Sequence, residues 1–215
     1  MTDKLLDLIK EKYKLCKLDV GEFSTLKASG MKFSVEAYCA EGLGHVSVMK
    51  AKGFFGLMKM DTLMIVPTDV DLPIYSYDRI HALGNDTLIV ELYDTVVDKY
   101  DDRALSAIKE EFSSIPERDP GEHWYDSIKL PESISKKGKK AQERDFDTLA
   151  IEHFCAYLGA NASAVLDVEK KRELSSRYVN GLLSQGGPST DVFKRELGEE
   201  NTAKLFRKVL FGTDL

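Results

Sequence analysis

The side chain best placed for chemistry in this sequence is Asp78. The segment Leu72–His81 alternates, and strand geometry puts Leu72, Ile74, Ser76, Asp78 and Ile80 on one face. A carboxyl group in such an apolar row loses hydration, which raises its pKa toward neutrality. An acid held protonated near neutral pH can hand a proton to a substrate. The residues alone leave a second role open, a carboxylate that pairs with an arginine or caps a turn at the sheet edge. Asp61, on the preceding candidate strand, shares a face with Leu57, Lys59, Leu63 and Ile65. Parity does not say whether Asp61 and Asp78 look into one pocket. Lys50, one strand earlier, is either an anion ligand or half of a surface ion pair.

Most other chemical signatures are missing. Gly42-Leu43-Gly44 precedes a strand and so aims no helix N-terminus at a phosphate; it reads as a hairpin turn. No GxxxxGK[ST], HExxH or GxSxG occurs. His45, His81, His123 and His153 lack metal-ligand spacing. Cys16, Cys39 and Cys155 form no CxxC pair, which argues against a disulfide framework or a structural zinc site and for a reducing compartment. An enzyme of this sequence is expected to work without a Rossmann-bound nicotinamide or a resident metal.

The elements that must position these groups follow from periodicity. Asp3–Lys17 carries Leu5, Leu6, Leu8, Ile9 and Tyr13 at helical spacing. The period then changes to two. Candidate strands run through Phe33–Cys39, His45–Lys52, Leu57–Val66, Leu72–His81 and Thr87–Asp94, separated by short turns. Parallel strands need a crossover of a dozen or more residues, so these five form an antiparallel meander. Helical spacing returns after Asp101, with Leu105, Ile108 and Phe112 on one side. A Pro-bearing stretch from Pro116 to Pro131 holds the single tryptophan, Trp124. Helices are expected over 141–158, 162–183, 190–197 and 199–211, with Gly198 as a stop between the last two.

Leu57, Leu63 and Ile65 oppose Met58, Met60, Met64 and Val66, so both faces of the sheet are apolar. The fold class expected is α+β, a three-layer α/β/α sandwich with a central antiparallel sheet, in one domain over 1–215. Phe54, Phe55, Met58, Met60 and Met64 are expected in its core rather than in a pocket lining, with the alternative that some of them grip a flat, extended ligand.

Charge and hydropathy narrow the partners. Lysine and arginine number 30 against 36 acidic residues, a net charge of −6, which disfavours a general nucleic-acid binder. The longest nearly uncharged stretch, Thr62–Val70, falls far short of the ~20 apolar residues that span a bilayer. The charged N-terminal segment has no signal-peptide core. The expectation is a cytoplasmic protein without nucleic-acid or membrane partners.

Several segments, in order, resemble the ferredoxin-dependent bilin reductases, the family of phycocyanobilin:ferredoxin oxidoreductase. Met64-Ile65-Val66-Pro67 followed by Asp71-Leu72-Pro73-Ile74-Tyr75-Ser76-Tyr77-Asp78 is similar to the family's central strands. His123-Trp124-Tyr125-Asp126 is similar to its Pro-Glu-Trp segment. Val192-Phe193-Lys194-Arg195-Glu196-Leu197-Gly198, then Val209-Leu210-Phe211, resembles its closing helices. The matches span roughly residues 45–211.

The resemblance implies an α/β/α sandwich that binds an open-chain tetrapyrrole such as biliverdin between the sheet and the C-terminal helices. It implies no permanently bound cofactor, electrons from reduced ferredoxin, and protons from pocket acids. Asp78 matches the family's catalytic aspartate. Asp61 and Thr62 stand where better-studied members carry a histidine, and Met49 or Lys50 where they carry a glutamate. Asp61 is therefore the second acid expected, and Lys50 a substrate-carboxylate ligand. The propionate-binding basic residue falls at Lys136 or Lys137; another falls near Pro188 and is missing. The run Lys136, Lys137, Lys139 and Lys140 is either a solvated loop or a docking patch for an acidic ferredoxin. Two alternatives stay open on this scaffold: a non-catalytic tetrapyrrole carrier, and a reductase of a different linear tetrapyrrole.

Overall fold

A computed structural model describes residues 1–215. Eight strands form one antiparallel sheet: β1 (Leu15–Leu18), β2 (Thr25–Ala28), β3 (Met31–Ala40), β4 (Gly44–Gly53), β5 (Met58–Pro67), β6 (Ile74–Ala82), β7 (Asn85–Tyr93) and β8 (Ile134–Lys139). Their order is β1-β3-β4-β5-β6-β7-β8, and β2 pairs with the other end of β3. The meander read from alternation is β3 to β7. Three further strands join it. β1 and β2 have four residues each, too few to show a period. β8 carries so much lysine that it reads as a loop, and lysine on an edge strand is a common guard against edge-to-edge pairing. Cys16 and Cys39 face each other across β1 and β3 as free thiols.

Helices α1 (Thr2–Lys12), α2 (Arg103–Glu111) and α3 (Glu143–Gly159) cover one face of the sheet. Helices α4 (Val168–Gln185) and α5 (Pro188–Lys204), with a π-helical turn at Leu205–Leu210, cover the other. The two interlayer cores hold 24 and 22 buried residues, so neither face of the central strands is left to water. That is why those strands are apolar on both sides. The architecture is the three-layer α+β sandwich.

Three local features seat the C-terminal layer. Lys171 of α4 is buried and donates to Asp71 at 3.1 Å, to the Leu72 carbonyl at 2.6 Å and to the Thr95 carbonyl at 2.8 Å. These bonds fasten the helix to the loops that follow β5 and β7. Gly181 of α4 meets the Trp124 ring so closely that an added Cβ would lie 2.2 Å from it. The Trp124 indole N–H donates to the Gly186 carbonyl at 2.9 Å, which pins the Pro-bearing segment under α4. At Gly198 the backbone leaves the helix with φ 79°, the stop expected from the sequence. The π-helical turn then brings Phe206 and Leu210 over the sheet.

Candidate active site

Between the sheet and α4–α5 lies a cavity of about 480 Å³, within the roughly 300–1,000 Å³ typical of small-molecule sites. Its floor is β5, β6 and β7. Thr62 sits directly opposite Asp78, Ser76 opposite Glu91, and Asp78 opposite Ile89. Side chains of directly paired residues share a face, so Thr62, Ser76, Asp78 and Glu91 form one polar patch. Around it five of the six methionines, Met31, Met49, Met58, Met60 and Met64, line the cavity. Met64 is in the core as expected, with Met58 and Met60 packed against it, and all three also border the hollow; Phe54 and Phe55, expected in the core as well, are instead exposed at the turn between β4 and β5. Unbranched, polarizable side chains suit a wall that must fit a bulky apolar guest. Tyr178, Leu182 and Phe193 form the roof.

Asp78 is the chemical centre. Burial pushes its carboxyl up to about 6. The Thr62 hydroxyl, which donates a hydrogen bond to it, pulls the other way, and the negative charge of Glu91 adds to the rise. Near pH 6 such a group exchanges a proton in either direction. No arginine neutralises it. Arg79, its neighbour in the chain, points through the opposite face and pairs with buried Asp86 at 2.6 Å, its guanidinium lying over the Phe146 ring.

Glu91 accepts a hydrogen bond from the Tyr93 hydroxyl at 2.6 Å and has Lys129 at 3.9 Å. His123 stacks on Tyr125 with 4.9 Å between ring centres, and its buried Nδ1 has no partner. Arg118 is the one arginine or lysine in the lining; its nearest protein partner is the Ser135 hydroxyl at 3.4 Å.

Strand parity separates Asp61 from Asp78. Asp61 is paired in register with Arg79, so its side chain leaves the sheet on the α1 side, where it accepts from the Met1 amino group at 3.0 Å. The structure does not bring it to the cavity. Lys50, directly opposite Asp61, shares that face and pairs with Asp3 of α1 at 2.5 Å. Lys136 is also on the far face, buried, holding Glu117 at 2.5 Å and the Ile115 carbonyl at 3.0 Å. Lys137 stands on the cavity side of the sheet, exposed on β8 and outside the lining. Of the five residues expected at the site, only Asp78 lines the cavity.

Glu91, Arg118 and His123 were not singled out in the sequence. Glu91 had a usable signal, because Ile89, Glu91 and Tyr93 alternate just as the Asp78 strand does. Arg118 and His123 sit in an irregular segment with no period to place them.

No family model and no curated protein matches the sequence. A search of solved structures finds tomato phytochromobilin synthase, crystallised in complex with biliverdin. The match has a TM-score of 0.74 at 16% identity and covers 99% of this chain and 83% of that one. The two chains share one fold. At this identity the likeness speaks for architecture alone.

Proposed function

We propose that the protein is a ferredoxin-dependent reductase of an open-chain tetrapyrrole such as biliverdin. The observation that carries this reading is Asp78, a carboxyl with its pKa near 6 on the floor of a methionine-lined cavity. Its support is a fold shared with a bilin-bound phytochromobilin synthase. A linear tetrapyrrole is flat, apolar over most of its surface and carries carboxylates at one edge. The lining offers aromatic and methionine side chains to the first part and Arg118 to the second.

Reduction of one double bond adds two electrons and two protons. The electrons come singly from two reduced ferredoxins, each of which leaves oxidised. Asp78 gives the first proton to the singly reduced pigment. Glu91, on the neighbouring strand and facing the same patch, is the second acid in place of Asp61. Thr62 holds the Asp78 carboxyl in position. His123, whose buried Nδ1 has no protein partner, lines the same cavity. Lys137, Lys139 and Lys140, all exposed, are available to an acidic ferredoxin; Lys136 is buried and is not.

The test is direct. Mixing the protein with biliverdin should perturb the visible spectrum, and reduced ferredoxin added anaerobically should convert it to a new product spectrum. Binding with no conversion would make the protein a carrier, and no binding would remove the pigment altogether. Asp78→Asn should keep pigment affinity within a few-fold and lose at least about 100-fold in turnover. Undiminished turnover would place the proton donor elsewhere.

A further inference from the structure

The end of the sheet formed by the β4–β5 and β6–β7 turns has an unusual surface. Phe54, Phe55 and Leu57 at the β4–β5 tip are 55%, 109% and 62% exposed, and Leu83 at the β6–β7 tip is 80% exposed. The tips adjoin, with the Leu83 amide donating to the Leu57 carbonyl at 3.4 Å. Phe54, Phe55 and Leu83 have φ values of 52°, 54° and 50°, a region costly for bulky side chains. The backbone is thus held in strained turns that thrust large apolar groups into water.

Beside these tips runs a row of lysines. Lys27 of β2 is paired in register with Lys32 of β3, Lys52 of β4 lies opposite Lys32, and Lys59 of β5 lies opposite Lys52. All four are exposed. They share one face of four adjacent strands and form a line roughly 14 Å long. Like charges in directly opposed positions repel. Lys17 of β1 pairs with Glu36 and Lys50 of β4 with Asp3, whereas none of these four has a carboxylate partner. A chain of net charge −6 thus collects positive charge without ion-pair partners beside four exposed large apolar side chains.

We propose that this end of the sheet docks on an anionic lipid surface, with Phe54, Phe55, Leu57 and Leu83 entering the interfacial layer and the lysine row facing the headgroups. The tips are convex knobs that no concave partner surface is needed to receive, which suits a deformable layer. The lysines supply the attraction that a net-negative protein otherwise lacks. No helix is long and apolar enough to cross a membrane, so the contact is peripheral. It revises the expectation of a protein with no membrane partner. Phe54 belongs both to the tip and to the lining of the cavity, whereas the lysine row stands on the opposite, α1 side of the sheet.

Vesicle co-sedimentation of the full chain tests this. Partition onto phosphatidylcholine vesicles containing phosphatidylserine should exceed that onto phosphatidylcholine alone by about tenfold or more at low salt, and decline as salt rises. The pair Lys52→Gln and Lys59→Gln should abolish most of that preference. The pair Phe55→Ser and Leu83→Ser should lower partition about tenfold or more; both sites are exposed, and an unchanged thermal transition confirms the fold. The Lys170→Gln variant on α4 should behave as the parent. Absence of partition, or partition indifferent to both pairs, overturns the proposal. So does equal or tighter lysine-dependent binding of soluble polyglutamate, which would mark the row as a site for an acidic protein. Pigment binding and reduction are read separately and can survive either result.

Discussion

Asp78 and His153 pull the pH profile of stability in opposite directions. The folded pKa of Asp78 is raised from 3.8 to about 6, chiefly by burial. The folded state therefore binds the proton more tightly, and this contribution is complete below the unfolded value and lost as pH rises through about 6. A difference of this size corresponds to about 3 kcal/mol at most. Replacing Asp78 with asparagine should leave the protein more stable than the parent by about 1–3 kcal/mol at pH 8, measured by urea unfolding. His153, buried between the Tyr75 hydroxyl and the Glu132 carbonyl, is lowered to about 4 by the same loss of hydration. Its contribution is present above the unfolded value and disappears as pH falls through about 4. Between these limits the two effects offset each other in the parent. The Asp78→Asn variant should expose the histidine slope, with stability falling steadily from pH 6.5 toward pH 4; a profile parallel to the parent would contradict the burial of a neutral-favouring carboxyl. Also at this scale, Arg118→Gln should weaken biliverdin binding about tenfold in a spectral titration while sparing binding of its dimethyl ester, since only the free carboxylates need a cation.

Helix α4 depends on two contacts that no propensity scale contains. Lys171 reaches into the loops at the ends of β5 and β7, where burial lowers its pKa against the opposing pull of Asp71. Lys171→Ala would leave the buried Asp71 carboxylate without its cation, held only by the Val97 and Asp98 amides, and should cost about 3–5 kcal/mol in denaturant unfolding, whereas Lys171→Met combined with Asp71→Leu should recover much of the loss. Gly181 lets α4 lie against Trp124. Gly181→Ala should destabilise by about 1–3 kcal/mol, despite the better helix former, and shift the emission of the single tryptophan as its ring is displaced. Wild-type emission and stability in that variant would mean the contact yields without consequence. Elements also explain why some site residues were misplaced by sequence reasoning. Asp61 and Asp78 sit on adjacent strands with the face of each legible, but the register that offsets them by one position forms only when β5 and β6 pair.

At the scale of the molecule, positive charge gathers locally on a net-negative chain. The chain is acidic overall, yet its lysines gather on the β2–β5 row and on the β8 edge. Neutralising Lys137, Lys139 and Lys140 together should reduce kcat/KM for reduced ferredoxin several-fold and flatten its dependence on salt, while leaving pigment affinity unchanged. Coupling that ignores all three charges would leave β8 as a guarded edge only. At this scale too, tomato phytochromobilin synthase has the same fold at only 16% sequence identity.

The sequence by itself determined everything that repeats over a few residues. The period of two in β3 to β7, the short turns that force antiparallel neighbours, the apolar pairs on both faces and the break at Gly198 are local properties of the chain. They were sufficient for the layered architecture and for placing Asp78 in an apolar row. The tertiary structure alone decided which face of the sheet would close over a hollow, because that depends on how α4, α5 and the Trp124 segment pack hundreds of atoms away in sequence from β6. It turned Asp61, Lys50 and Lys136 toward the other helical layer, and it brought Glu91, Arg118 and His123 to Asp78. A strand's parity is set within two residues; the side on which that parity meets a ligand is set by long-range packing.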